Sequence, residues 1–423
     1  MKNLKCLFLV LFLAALSPAG AANYSGSVID AATNKPIEGA FVTLGNSVVR
    51  TDRSGKFQME GSDDALGIRA YGHMRRTAKT SALSDGAPVA LNPFTPKALY
   101  LSLLGIGNKQ LRESALSLIA DTELNSLVID LKDDMGRVAF RSETPLATEI
   151  GAQKTLTIKN MSALVGNLHE KGIYLIARIV VFKDDPLVMA KPELAIRTAG
   201  GEIWRDREGL AWSNPYSKTA RDYNIDLAVE AARAGFDEIQ FDYVRFPDAP
   251  GLAYSTPNTE ENRVAAISEF LNEARKRLTP YNVFLAADIF GYAAWNTNDT
   301  YIGQKLESLP SILDYISPML YPSGFQFGIP GYPDPVHHPR EIVYFSLEKA
   351  IQRTKLPGIR FRPWLQAFRD YAFDRTPFKG EQIRAQIDAA DSVGSDGWML
   401  WNPHNIYTRE GLLPKSPAVL QTK

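Results

Sequence analysis

Between Ala98 and the C-terminus the chain repeats one change of pattern: a short run rich in β-branched and aromatic residues, then a stretch with helical spacing. The strand candidates are ALYLSLL (98 to 104), SLVIDLK (126 to 132), IYLIARIVVF (173 to 182), FDEIQFDYV (236 to 244), NVFLAADIF (282 to 290), DYISPMLY (314 to 321), RFRPWLQAF (360 to 368) and DGWMLWN (396 to 402). Between them lie patterns such as KNMSALVGNLHEKG, YNIDLAVEAARAG, ENRVAAISEFLNEARKRL and EQIRAQIDAADSVG. Apolar residues recur in these three and four apart, and Gly often closes the segment. Eight strands joined by helices or long crossovers over about 320 residues predict an α/β chain built as a (β/α)8 TIM barrel. The alternative, a doubly wound open sheet, normally announces itself by a Gly-rich first turn, and none is present.

The N-terminal part reads differently. Lys2 and Lys5 precede an apolar run from Cys6 to Leu16 and a cluster of small residues at Ala19, Gly20, Ala21 and Ala22. That three-part form predicts a secretory signal peptide, too short for a spanning helix, with cleavage near Ala21 or Ala22. The expected division is 1–22 signal peptide, 23–93 small all-β sandwich, 94–416 barrel and 417–423 tail. The only cysteine, Cys6, falls in the removed segment, so the exported chain is expected to lack disulfides, a thiol nucleophile and Cys-ligated metal. A Gram-negative periplasm is the first expectation for its location and the cell exterior the second, with no stable membrane insertion after cleavage. Lys plus Arg equals Asp plus Glu at 47 each, which gives no electrostatic reason to expect nucleic acid as a partner.

Charged groups inside strands demand a reason, because an unpaired buried carboxylate costs several kcal/mol. Chemistry in such a barrel sits at the C-terminal strand ends, and side chains alternate between interior and helix layer. Alternation along the fourth strand turns Gln240 and Asp242 inward, with Asp242 at the mouth. On the fifth it turns Ala286 and Asp288 inward. Two carboxylates on adjacent strand ends suit glycoside hydrolysis, one to attack or stabilise the anomeric carbon and one to protonate the leaving oxygen. Asp130 and Lys132 share one parity on the second strand, Asp133 and Asp134 follow, and the third strand brings Arg178. Arg245 is placed to clamp a carboxylate. Tyr321, Phe325, Trp364, Gln366, Trp398, Trp401, Asn402 and His404 supply aromatic faces and amides suited to a sugar ring. From these the expected substrate-binding set is Asp130, Lys132, Arg178, Arg245, Tyr321, Trp364, Gln366, Trp401 and Asn402. The bland readings stay open: Asp242 held by Arg245 or Lys132, Asp288 bonded to a loop, Asp130 bridged to Lys132 or Arg178. Asp237 and Glu238, early in their strand, read as bottom-face or capping groups. His337 and His338 read as a solvated pair or part of a lid.

Two stretches resemble known families. Residues 24 to 92 resemble the carboxypeptidase regulatory-like domain, a transthyretin-like sandwich, through Gly26, Ser27 and Val28; Pro36 and Ile37; Gly39, Ala40 and Val42; and Thr51, Asp52, Gly55 and Phe57. The barrel resembles a glycosyl hydrolase domain family long described as a domain of unknown function. VIDLKDDMG (128 to 136), FDEIQFDYVRFP (236 to 247), ADIFGY (287 to 292), ISPMLYPS (316 to 323) and GWMLWNP (397 to 403) carry that resemblance in order. By analogy with α-amylase-like retaining glycosidases, it implies Asp242 as nucleophile and Asp288 as proton donor. The donor is Asp here, not the commoner Glu.

Other barrel chemistries lack their residues. A chitinase-like enzyme needs Glu where Val244 stands, and a metal-dependent amidohydrolase needs His-x-His on the first strand. Phosphate-binding barrels expect Gly-rich turns after strands seven and eight. The expectation is a carbohydrate substrate, no metal and no organic cofactor. The sandwich is expected to contact glycan or an envelope protein. A non-catalytic carbohydrate-binding or scaffold protein on the same barrel is the alternative.

Overall fold

The computed structural model describes residues 22–83 and 87–415. The expected signal peptide with Cys6, save Ala22, and the 417–423 tail lie outside the described residues.

Seven strands open the chain: β1 (Ala22–Asp30), β2 (Phe41–Leu44), β3 (Ser47–Arg50), β4 (Lys56–Gly61), β5 (Ala65–Arg69), β6 (Arg76–Lys79) and β7 (Val89–Leu91). They form a three-stranded sheet ordered β4-β1-β7 and a four-stranded sheet ordered β3-β2-β5-β6. Alternation decides which side chains meet: Phe57 and Met59 of β4 turn inward, and Val28, Val42, Leu66, Ile68 and Leu91 join them in one core.

The remaining strands are β8 (Lys97–Leu101), β9 (Ser126–Lys132), β10 (Tyr174–Val180), β11 (Arg197–Thr198), β12 (Glu238–Asp242), β13 (Leu252–Ala253), β14 (Phe284–Phe290), β15 (Tyr315–Met319), β16 (Trp364–Gln366) and β17 (Trp398–Trp401). Eight of them close a barrel in the order β8-β9-β10-β12-β14-β15-β16-β17, and β17 pairs back onto β8. Every barrel pair is parallel. The short β11 and β13 pair with each other and join the loops that follow the third and fourth barrel strands.

Local sequence explains where the helices run. Ser217 caps the helix Lys218–Ala234 by accepting from Ala220 N, and Gly235 ends it at φ 107°, a backbone angle that favours glycine. Thr259 caps Glu260–Leu278, whose first turn holds Glu260 and Glu261 and whose last holds Arg275, Lys276 and Arg277, matching the helix dipole at both ends. None of the described helices is long and apolar enough to cross a membrane.

The barrel interior is layered. At the floor Arg362 bridges Glu238 and Asp396 (2.9 Å), and the Tyr174 hydroxyl donates to Glu238 (3.0 Å). Above it Val128, Ile176, Phe284, Ala286 and Met399 pack as an apolar plug. Asp237 points the other way, where it receives Arg75 (3.1 Å) and the amide of Leu175 (2.9 Å) and meets His169 (2.8 Å).

Candidate active site

At the mouth, Arg178 is the organising group. Its register opposite Asp130 on β9 and Gln240 on β12 sends its long side chain up the interior between those strands. Nη1 meets Asp130 Oδ1 at 2.7 Å, while Nη2 and Nε both reach Asp242 Oδ2, at 2.5 and 3.0 Å. Asp134, half exposed, lies 3.5 Å from Nη1. The guanidinium plane also lies 4.9 Å from the centroid of Trp401, which stacks on Tyr100 at 3.9 Å. Burial works against the Arg178 charge, but the surrounding carboxylates hold its pKa well above the ordinary value.

Asp242 is 5% exposed. Its Oδ1 accepts the amide of Tyr243 at 2.6 Å, and Tyr243 adopts φ 48° to point that amide back. A bulky residue in the left-handed region costs of order 1–3 kcal/mol, so the turn that ends β12 stores strain beside the carboxylate. Asp130, on the other side of Arg178, accepts the Tyr100 hydroxyl at 2.5 Å. Burial pushes the Asp130 carboxyl up to about 7, with Arg178 opposing.

Asp288 is more deeply enclosed, 1% exposed. Trp364 Nε1 donates to its Oδ1 at 2.7 Å, and Oδ2 has no hydrogen-bond partner among the described residues. Burial first, and then the negative charge of Asp242, raise its pKa well above the usual carboxylate range; Arg178 and the Trp364 bond pull the other way without prevailing. Tyr321 feels both acids, and its phenol is pushed up by burial and by their charges. The mouth thus sets Asp242, held by Arg178, beside Asp288, whose carboxyl is pushed upward by burial and by that neighbour.

Of the residues singled out in the sequence, Asp130, Arg178, Asp242, Asp288, Tyr321, Trp364 and Trp401 come together here. Four others do not. Lys132 was expected beside Asp130, but a register shift pairs Ile179 with Lys132 instead of Leu131, and that bulge reverses the alternation. Its ammonium group is buried against Asp184 (2.7 Å), Asn224 Oδ1 (3.0 Å) and the carbonyl of Val180 (2.7 Å), on the helix side of the strand. Burial lowers Lys132 and raises Asp184, each opposed by the other's charge. Arg245 clamps no carboxylate among the described residues; it lies 5.0 Å from both the Trp212 and Tyr243 rings and donates to Phe246 O at 3.2 Å. Gln366 spends its amide on Ser323 (2.7 Å) and Phe368 O (3.1 Å), and Asn402 spends its own on Ala367 O (2.7 Å) and Ile406 O (2.9 Å). Both shape loops, because an amide that saturates nearby backbone groups has little left for a ligand. Phe325 and Trp398 are core. His404 donates its amide to Asn402, and His337 meets Asp334 at 2.8 Å.

Sequence reasoning missed Tyr100. Its signal was available: alternation on β8 carries Tyr100 to the inner face near the strand's end, level with Val128 and one inward position short of Asp130 on β9.

The fold has counterparts among solved structures. A hypothetical protein from Ruminiclostridium thermocellum is 40% identical, with 45% of this chain and 96% of that one covered and a TM-score of 0.41. The PgaB (BpsB) glycoside hydrolase domain from Bordetella bronchiseptica is 15% identical over 74% of this chain and 95% of that one, with a TM-score of 0.56. A beta-galactosidase from the psychrophilic Marinomonas ef1 is 12% identical over 73% and 54%, with a TM-score of 0.52. At such identities the last two show the fold alone. No curated protein matches the chain. A family model described as "Putative glycosyl hydrolase domain" matches residues 98–407, the whole of the closed barrel but its first residue, and the chain belongs to that family.

Proposed function

We propose that the barrel hydrolyses an O-glycosidic bond of a poly- or oligosaccharide, with Asp242 as nucleophile and Asp288 as general acid/base. The observation that carries this reading is the pair itself: Asp288 keeps its proton because it is buried beside the charge of Asp242, and its Oδ2 is bonded to nothing in the described protein. In the first step Asp288 protonates the glycosidic oxygen as the bond to the anomeric carbon breaks, and Asp242 closes on that carbon. Once Asp242 is esterified its negative charge is gone, so the second of the two influences that raised Asp288 is relieved while burial remains. Asp288 then accepts a proton from the water that releases the sugar. Arg178 holds the nucleophile in place, and Tyr321 and Trp401 offer ring faces beside it.

One observation favours a second reading, a barrel that binds carbohydrate without turnover. Asp242 is nearly sealed and bonded through two nitrogens of Arg178. A nucleophile so held must be approached along its Oδ1 side. The proposal also includes export: residues 1–22 as signal peptide, the periplasm as destination, and the N-terminal sandwich as a carboxypeptidase regulatory-like accessory domain.

The test is hydrolysis of a panel of bacterial envelope and storage polysaccharides by residues 23–423, beside Asp242→Asn and Asp288→Asn. Cleavage that drops in both variants by about a hundredfold or more, with both variants still folded by circular dichroism, is the expected outcome. Glycan binding without cleavage by the wild type moves the assignment to the second reading.

A further inference from the structure

The loop after β16, residues 367–379, holds Tyr371 and Phe373 out to solvent, 55% and 41% exposed. It is firmly built. Asp370, 1% exposed, sits at its centre and accepts the amides of Ala372 (3.1 Å), Phe373 (2.8 Å) and Arg375 (3.1 Å) together with the Ser323 hydroxyl (2.7 Å). Asp374 reaches His337 at 3.3 Å and so ties the loop to the one after β15. A loop fastened this way around a buried carboxylate, yet displaying aromatic rings to water, has already met the ordering cost that a binding surface would otherwise incur.

The rings also lead somewhere. Tyr371 stacks on Phe368 (6.1 Å, 15° between planes), and Phe368 meets Tyr321 edge-on (5.5 Å, 73°). Tyr321 in turn lies within the field of Asp288 and Asp242. One row of rings therefore connects the acids to the surface. One cation acts on its outer end and two flank it in the chain. Arg369 and Arg375 flank Tyr371 in the chain and are exposed. Arg207, from the loop after β10, is exposed too and acts electrostatically on the Tyr371 phenol. Among the described residues none of these three guanidinium groups takes part in an ion pair, and of the loop's own two carboxylates one is buried and the other engaged with His337. In a chain with no net charge, this is a local positive excess beside a stacking surface.

We infer that this row is a binding site for an acidic glycan, with sugar rings stacked on Tyr371 and Phe368 and carboxylate groups paired with Arg207, Arg369 and Arg375. The inference rests on the proposed function only in placing the scissile bond at the inner end of the row. A planar guanidinium suits a uronate carboxylate, and the ring row suits a chain of several residues over a single sugar.

The experiment is affinity electrophoresis of the full chain carrying Asp242→Asn, in gels containing polygalacturonate, alginate, dextran sulfate or soluble starch. Polygalacturonate or alginate is expected to retard the protein well beyond starch. Tyr371→Ala is expected to weaken that retardation about tenfold, the scale of one lost ring contact, and Arg207→Gln with Arg375→Gln to do the same. All these side chains are exposed, so melting temperatures should not move. No retardation by either uronate polymer, equal retardation by starch, or retardation that survives Tyr371→Ala overturns the inference. Retardation by dextran sulfate alone overturns it in favour of plain charge attraction. The two readings fail separately: a uronate polymer bound through Tyr371 but never cut by the wild type leaves this site and removes the hydrolase, whereas cleavage indifferent to Tyr371→Ala does the reverse.

Discussion

Asp288 takes its character from what surrounds it, and the Arg178 charge and one hydrogen bond oppose that character. Trp364 Nε1 is a hydrogen bond that pulls its pKa down, against burial and against Asp242. Trp364→Phe removes the bond and leaves a ring of similar breadth. Asp288 should then hold its proton to still higher pH, moving the alkaline limb of the kcat profile upward, while lost orientation lowers kcat by roughly tenfold to a hundredfold. An alkaline limb that stays put or moves down would show that Asp288 is not the acid. Asp130 makes a prediction about stability. Its folded pKa is about 7 against 3.8 for the free group, so the native state holds the proton longer than the unfolded chain does. Stability from this group is complete below about pH 4 and declines as pH rises towards 7. Asp130→Asn cannot titrate, so its melting temperature should gain on the wild type across that window and run parallel above it. A constant offset from pH 4 to 8 is the result that would count against it. Residue identity made Asp130, Asp242 and Asp288 legible, since acids at strand ends stand out against apolar runs. Lys132 stood out equally and was misplaced, because one extra residue in β9 reverses an alternation that no sequence pattern marks.

At the scale of elements, the eight barrel strands were legible because each is a β-rich run bounded by helical spacing. Their ends were less so. RFRPWLQAF reads as nine strand residues, yet β16 is only Trp364–Gln366, since Arg360 and Arg362 turn aside to bond carbonyls of Leu313 (2.6 Å) and Asp396 (2.8 Å). The closure of the ring depends on a feature the sequence shows only as a lone glycine. Gly397 stands just ahead of β17 at φ 76°, and a Cβ there would lie 1.7 Å from the carbonyl oxygen of Pro96, just ahead of β8. Backbone cannot give way as a side chain can. Gly397→Ala combines left-handed strain of about 1–2 kcal/mol with overpacking of about 1–3 kcal/mol, so a loss of at least roughly 2 kcal/mol is expected in urea unfolding. Gly394, also at positive φ but with open space where a Cβ would go, serves as the control: Gly394→Ala should cost only the backbone term.

For the molecule as a whole, the question is whether the sandwich and the barrel are two folding units or one. Their contact lies at the barrel floor, opposite the acids. Arg69 of β5, 3% exposed, donates to Asn282 Oδ1 (3.2 Å) and lies 3.9 Å from Asp314, which also receives Arg275 (2.8 Å) and the amide of Leu285 (2.9 Å). Burial pulls the Arg69 guanidinium down, and the Asp314 charge is what opposes it. Tyr71 stands edge-on to both Phe41 of the sandwich and Tyr315 of the barrel, with Arg360 over its ring at 4.4 Å. Separating the two parts would take Arg69 from Asp314 and Asn282 and break the ring contact of Tyr71 with Tyr315. Breaking a buried ion pair by removing one partner costs about 3–5 kcal/mol, which couples the two parts. The full chain should therefore unfold in one calorimetric transition. Asp314→Asn removes the charge shared by Arg69 and Arg275, so it should lower that transition as a whole, with near-ultraviolet signals of the sandwich and barrel moving together. Two resolved transitions, only one of them shifted by Asp314→Asn, would mean that the sandwich rides on the barrel without being part of its stability. The barrel mouth would then owe nothing to the domain beneath it.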